Sequence, residues 1–99
     1  MIDKDNEINL FVALITSLAS TCWMQLGKVP NPISNKIEKD LNNAKFTIEM
    51  LRTLKEKTKG NLTADEERIL ISVLTDLELN YADEVNKEIQ AKETQQNKN

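Results

Sequence analysis

The link between the second and third predicted helices concentrates polar residues that could bind a ligand. Lys57, Lys59, Gly60, Asn61 and Thr63 all lie there, directly before a helix N-terminus. Backbone amides at such a position, helped by lysine side chains, can bind an anion such as phosphate. The same residues also have a purely structural interpretation, because glycine ends a helix, asparagine favours a turn and threonine caps the next helix.

Residues for catalysis and metal binding are scarce elsewhere. The chain has no histidine and no glycine-rich phosphate loop, which removes the commonest general base and most zinc and nucleotide sites. Its one cysteine, Cys22, falls on the apolar stripe of a helix and is predicted to fill the core. The carboxylates of residues 65–67 open the third helix, where they complement the helix dipole. We therefore predict a protein that is not an enzyme and that uses no metal and no cofactor.

The first helix carries a wide apolar surface instead. Twelve of the 17 residues from 10 to 26 are apolar, and they spread over more than one side of the helix. Such a helix must be covered on more than one side. The predicted self-association surface consists of Phe11, Val12, Ile15, Ala19, Trp23 and Met24. The alternatives are that these residues complete the core of one chain or that they face a membrane or another partner.

Three helices position these residues. The first is predicted over residues 7–26 and is capped by Gly27, after which two prolines hold a turn. The second is predicted to begin with a capping box, Asn35 and Glu38, and to end near Thr58. Its apolar positions follow a single seam: Ile37, Leu41, Ala44, Ile48, Leu51 and Leu54.

The third helix starts with a capping box formed by Thr63 and Glu66. Its apolar positions are Ile69, Leu70, Val73, Leu74, Leu77, Tyr81 and Val85. The short link before it predicts an antiparallel hairpin of the second and third helices. Residues 36–59 hold seven basic and four acidic groups, whereas residues 63–93 hold three basic and nine acidic groups. These opposite charges favour the hairpin weakly.

The fold class is therefore all-α, with a long antiparallel hairpin and an apolar N-terminal helix that we expect to assemble into a helical-bundle oligomer. Residues 1–6 are expected to be flexible, residues 7–85 to form one helical domain, and residues 86–99 to be a frayed or disordered polar tail. The net charge of −3 argues against a nucleic-acid partner. The acidic start and the single cysteine predict a cytoplasmic protein.

Several short patterns together resemble a bacterial family of short proteins that is catalogued only as a domain of unknown function. In the first helix they are Phe11, Leu14, Ile15, Ser17, Leu18, Ala19 and Ser20. The link contributes the most specific pattern: Lys57, Thr58, Gly60, Asn61, Leu62, Thr63, Glu66 and Glu67. The resemblance spans about residues 8 to 82 and implies the helical fold, but it implies no catalytic residue.

Three functional hypotheses follow. The first is a non-enzymatic, homo-oligomeric scaffold or interaction module, a dimer or a higher oligomer, with an unknown protein as a further partner. The second is a peripheral membrane protein that docks through the first helix, although this helix lacks the basic polar face that interfacial helices favour. The third is binding of a small anion or ligand at the Gly60–Asn61 link.

Overall fold

The structure of the chain, a computed structural model, describes residues 9–96. The chain forms three helices, which are α1 (Leu10–Gln25), α2 (Leu41–Lys57) and α3 (Ala64–Gln96). The described residues contain no strand. The prediction of an all-α fold with three helices is confirmed. The predicted flexible segment, residues 1–6, lies outside the described residues.

The second and third helices form the predicted antiparallel hairpin. Lys39, just before α2, contacts Glu84 late in α3, whereas Arg52 near the end of α2 contacts Glu78, which lies earlier in α3. All three helices contact one another. The hairpin therefore presents a long groove into which α1 can pack.

The first helix lies antiparallel to α2 and hence parallel to α3. Close to the end of α1, the carbonyl of Gln25 accepts a hydrogen bond of 2.7 Å from the amide of Asp40, the cap of α2. One turn earlier, the thiol of Cys22 lies 3.6 Å from the carbonyl oxygen of Ala44. Residues further back along α1 therefore meet residues further along α2, and the bundle runs up, down and up.

Gly27 ends α1 in the way that the sequence predicts. Its φ of 78° is left-handed, its amide donates to the carbonyl of Met24, and the amide of Lys28 donates to the carbonyl of Trp23, both at 3.0 Å. These two bonds form a Schellman motif, which satisfies carbonyls that the helix itself leaves open. The turn also directs Lys28 back towards α3.

The start of α2 differs from the prediction, because the helix begins at Leu41 and not at Asn35. Asn35 adopts a left-handed φ of 58°, and Glu38 accepts a hydrogen bond from the side chain of Asn31 instead of capping a helix. Asp40 is the residue whose carboxylate accepts from a first-turn amide, at 3.1 Å. The predicted capping box of Asn35 and Glu38 is wrong because Asn31 organises a turn that uses both residues.

The core contains residues from all three predicted apolar stripes. Its buried members are Ile15, Ala19, Cys22, Leu26, Ala44, Ile48, Leu51, Leu70, Leu74 and Leu77. Ile37 was predicted on the same seam but is exposed, because it precedes α2. The prediction that Cys22 fills the core is confirmed.

The structure continues α3 to Gln96, into the stretch 86–99 for which a frayed or disordered tail is predicted, and residues 97–99 lie outside the described residues. Residues 86–96 contain no glycine or proline that would end a helix. Lys87 also pairs with Asp83 and Glu84, each at 3.2 Å and one turn away, which supports the helix at its exit from the bundle. The polar composition reflects solvent exposure of this stretch, not loss of helix. We call residues 86–96 the α3 overhang.

The overhang gives the molecule an elongated shape. The 33 residues of α3 span about 50 Å, whereas the 16 and 17 residues of α1 and α2 span about 25 Å each. The principal extents are 66 × 32 × 16 Å and the radius of gyration is 17.0 Å. Only the first part of α3 is therefore covered by the other two helices.

The two glycines of the chain provide a matched test of the α1 cap. Both Gly27 and Gly60 have a left-handed φ, but a Cβ at Gly27 would lie 3.1 Å from the Cβ of Lys39, whereas a Cβ at Gly60 would meet open space. We expect Gly60→Ala to destabilise the fold by about 1 kcal/mol through backbone strain alone. Gly27→Ala adds crowding and should cost about 2 kcal/mol. Urea unfolding followed by circular dichroism measures both, and equal losses would contradict the close approach.

Candidate interaction surface

Two of the residues predicted for the self-association surface are buried inside the chain. Ile15 and Ala19 are 0% and 7% exposed, because α2 and α3 both cover that side of α1. Their assignment to an outer surface is therefore wrong. The other four predicted residues are partly buried: Phe11, Val12, Trp23 and Met24. Phe11 and Trp23 pack against the core cluster.

The side of α1 that does face solvent is free of charge. No residue between Asn9 and Gly27 is acidic or basic. Leu10 is 78% exposed and Leu14 is 45% exposed. The small polar residues Ser17, Ser20 and Thr21, further along the same helix, are exposed too. Exposed helix faces of soluble proteins normally carry charges, as α2 and α3 do here.

An apolar groove separates α1 from α2 and extends this uncharged side. It has a volume of about 520 Å³. Its lining residues are Leu14, Leu18, Phe46, Glu49, Met50, Thr53 and Leu54. Phe46, at 65% exposure, and Met50 project from its α2 edge. We call the six apolar residues along this side the α1–α2 face: Leu10, Leu14, Leu18, Phe46, Met50 and Leu54.

Phe46 and Met50 are the surface residues that the sequence reasoning missed. Both lie off the seam of α2 that packs in the core, and both are exposed. The available signal was their own spacing, because two large apolar residues four positions apart form a second row on the helix. The spacing of Phe46 and Met50 does not show, however, that this second row of α2 lies next to α1.

The link between α2 and α3 follows its structural interpretation. Thr63 and Glu66 form the predicted capping box: the amide of Thr63 donates to Glu66 at 2.8 Å, and the amide of Glu66 donates to the hydroxyl of Thr63 at 3.1 Å. The hydrogen bond from the Thr63 amide is the main reason that the pKa of Glu66 lies below its ordinary value. Gly60 takes a left-handed φ of 84°.

The predicted ligand residues of this link do not converge on one site. A hollow of about 270 Å³ is lined by Lys59 and Gly60, but not by Lys57, Asn61 or Thr63. The other lining residues are Lys55, Glu56, Thr58, Leu62, Glu67 and Leu70. Two of these carry carboxylates, which oppose the binding of an anion.

A cluster of charges at the exit of α3 from the bundle was not predicted. Glu84 is buried, and its carboxylate contacts Lys28 at 2.6 Å, Lys39 at 2.9 Å and Lys87 at 3.2 Å. Lys28 follows α1 and Lys39 precedes α2, so one carboxylate connects all three helices. No sequence signal pointed to this cluster, because Lys28 and Lys39 both lie more than 40 positions from Glu84 along the chain.

Hydrogen bonds from Lys28 and then from Lys39 lower the pKa of Glu84 to about 2. The thiol of Cys22 shows the opposite effect, because burial raises its pKa to about 11. A buried, protonated thiol is a poor nucleophile and a poor metal ligand. Within residues 9–96 there is also no group of three or more acidic or cysteine side chains that could hold a metal ion.

The helices of the described range are too short or too polar to cross a bilayer. The sequence from residue 7 to residue 83 matches the family described as Domain of unknown function (DUF1844). The chain belongs to the DUF1844 family. No curated protein and no solved structure matches it.

The DUF1844 match agrees with the resemblance noted in the sequence, and it coincides with the packed part of the fold. It includes α1, α2 and the part of α3 that they cover, and it stops one residue before Glu84. The α3 overhang lies outside the DUF1844 range. The family description assigns no activity, so function has to be argued from the surface itself.

Replacement of Glu84 tests the charge cluster in this DUF1844 protein. Because the folded-state pKa is lowered, the stabilisation is complete above pH of about 4.5 and is lost as the pH falls towards about 2. We expect Glu84→Gln to lower the free energy of unfolding at pH 7 by about 1–2 kcal/mol, since partly exposed lysines are screened by solvent. Urea unfolding monitored by Trp23 fluorescence measures this loss.

The control is Glu88→Gln, because Glu88 is half-exposed and makes one contact of 3.7 Å with Lys39. That variant should unfold like the wild type within about 0.5 kcal/mol. The difference between wild type and Glu84→Gln should shrink between pH 4.5 and pH 2. A difference that stays constant over this range would refute the assigned role of the Glu84 charge.

Proposed function

We propose that this protein is a non-enzymatic helical module that self-associates through the α1–α2 face. The supporting observation is that α1 exposes one whole side without any charge, next to the projecting side chains of Phe46 and Met50. The centres of protein interfaces are depleted of charge and enriched in aromatic residues and methionine. The α1–α2 face has this composition.

Burial of this face provides the free energy for association. Apolar area contributes about 25 cal/mol per Å² when it is removed from water. Leu10 and Phe46 are both more than 60% exposed in the single chain, so a partner would remove a large part of their surface from water. A chain of 99 residues has a modest core of its own, which makes additional burial between chains valuable.

A membrane is a weaker partner for the same face. Binding to anionic lipid is favoured by a net excess of lysine or arginine beside the apolar side chains. The helix α1 has neither, and on α2 the charge of Lys45 is balanced by that of Glu49. The ligand-binding alternative at the α2–α3 link is weaker as well, because Lys57, Asn61 and Thr63 lie outside the hollow. Self-association is therefore the function that the surface favours over both.

Phe46→Glu tests this proposal, with Leu79→Glu as its matched control. Both residues are large, apolar and about two-thirds exposed, but Leu79 lies on α3, away from the α1–α2 face. Light scattering coupled to size-exclusion chromatography, from 1 to 200 μM, gives the molar mass. We expect at least twice the chain mass of 11.3 kDa for wild type and Leu79→Glu, and tenfold weaker association for Phe46→Glu.

Equal behaviour of the two variants would place any self-association elsewhere on the molecule. A wild-type protein that stays monomeric at 200 μM contradicts the proposal. Flotation of that monomer with anionic phospholipid vesicles would then support the membrane alternative.

A further inference from the structure

Resting on the self-association proposed above, we infer that the partner is a second copy of this chain, related by a two-fold axis that crosses α2 between Thr47 and Ile48. This axis packs the two α2 helices antiparallel to each other. Phe46 of each copy then lies against the groove of the other copy.

The inference starts from two parallel rows of side chains on α2. Lys45 and Glu49 both line the groove between α2 and α3 and form a charged row. Glu49 also reaches the groove on the α1 side and pairs with Arg52 of its own chain at 2.9 Å. Phe46 and Met50 border the groove between α2 and α1 and form an apolar row. In each row the two side chains are four positions apart, or about 6 Å along the helix. The midpoints of the two rows lie within one residue of each other.

With a two-fold axis at this level, each row faces the same row of the second copy in reverse order, and the facing side chains are complementary. In such a contact, residue i of one copy meets residue j of the other, and j meets i. Reversal of the charged row places Lys45 against Glu49 of the second copy, and this ion pair occurs twice. Reversal of the apolar row places the ring of Phe46 against the thioether of Met50, which is a favourable contact. A row with two equal charges would repel its own copy.

The same axis meets α1 where its side chains are small. Cys22 lies opposite Ala44, and the two helices are antiparallel. An axis three to four residues beyond Ala44 therefore crosses α1 three to four residues before Cys22. The exposed residues nearest to that level are Ser17 and Ser20. Because small side chains permit close approach of helix axes, the two α1 helices can pack against each other in the same interface.

Charge reversal on the full-length chain tests this arrangement. Lys45→Glu creates a row of two carboxylates and Glu49→Lys creates a row of two ammonium groups, so each variant repels its own copy. An equimolar mixture of the two variants should associate, because every pair across the axis is then of opposite sign. We expect each variant alone to associate about tenfold more weakly than wild type, and the mixture to recover within threefold of wild type.

Lys92→Glu and Glu93→Lys are the controls, because they change the net charge equally on the exposed α3 overhang. Circular dichroism checks that every variant is folded. If wild type self-associates but the Lys45 and Glu49 variants match these controls, or if their mixture does not recover, the two-fold arrangement is overturned while self-association stands. A monomeric wild type overturns both.

Discussion

The architecture depends on the burial of α1, a mostly apolar helix whose contact with water is unfavourable. The helix α1 has no charged residue and contributes Ile15, Ala19 and Cys22 to the core, and its cap residue Leu26 is buried as well. The hairpin of α2 and α3 offers one buried seam from each helix, so together they can cover one side of α1 and no more. The opposite side of α1 is left in contact with water. Internal packing and the exposed α1–α2 face are thus two consequences of the same sequence property.

At the level where α1 ends, the apolar core gives way to the charge cluster around Glu84. Along α3, the inward row passes from Leu70, Leu74 and Leu77 to Tyr81 and then to Glu84. A buried ion pair contributes little net stability, because desolvation of the charges offsets most of their attraction. Its effect is on register: only one alignment of the helices brings the lysines that follow α1 and precede α2 to the same carboxylate. The Schellman turn at Gly27 makes this alignment possible, because it directs the chain back towards α3.

Features of the fold that depend on neighbouring residues were predicted from the sequence. Features that depend on which distant residues come into contact were not. The cap at Gly27 and the capping box of Thr63 and Glu66 depend on neighbouring residues, so both are readable from the chain. The start of α2 was misplaced because two acceptor residues, Asn35 and Asp40, compete as caps, and only the turn around Asn31 decides between them. The surface predicted on α1 included Ile15 and Ala19, which the hairpin buries. An apolar helix shows no polar side in its sequence, so Ile15 could not be distinguished from Leu14 without knowing where the hairpin lies.

The α3 overhang has a consequence for how this protein moves through water. A compact domain of this length has a radius of gyration of about 13 Å, whereas this chain has one of 17.0 Å. A rod of helix that extends beyond its bundle adds more friction than the same residues would add in a compact shape. The protein therefore diffuses and elutes like a heavier globular molecule, and shape alone gives a single chain the hydrodynamic signature of a pair.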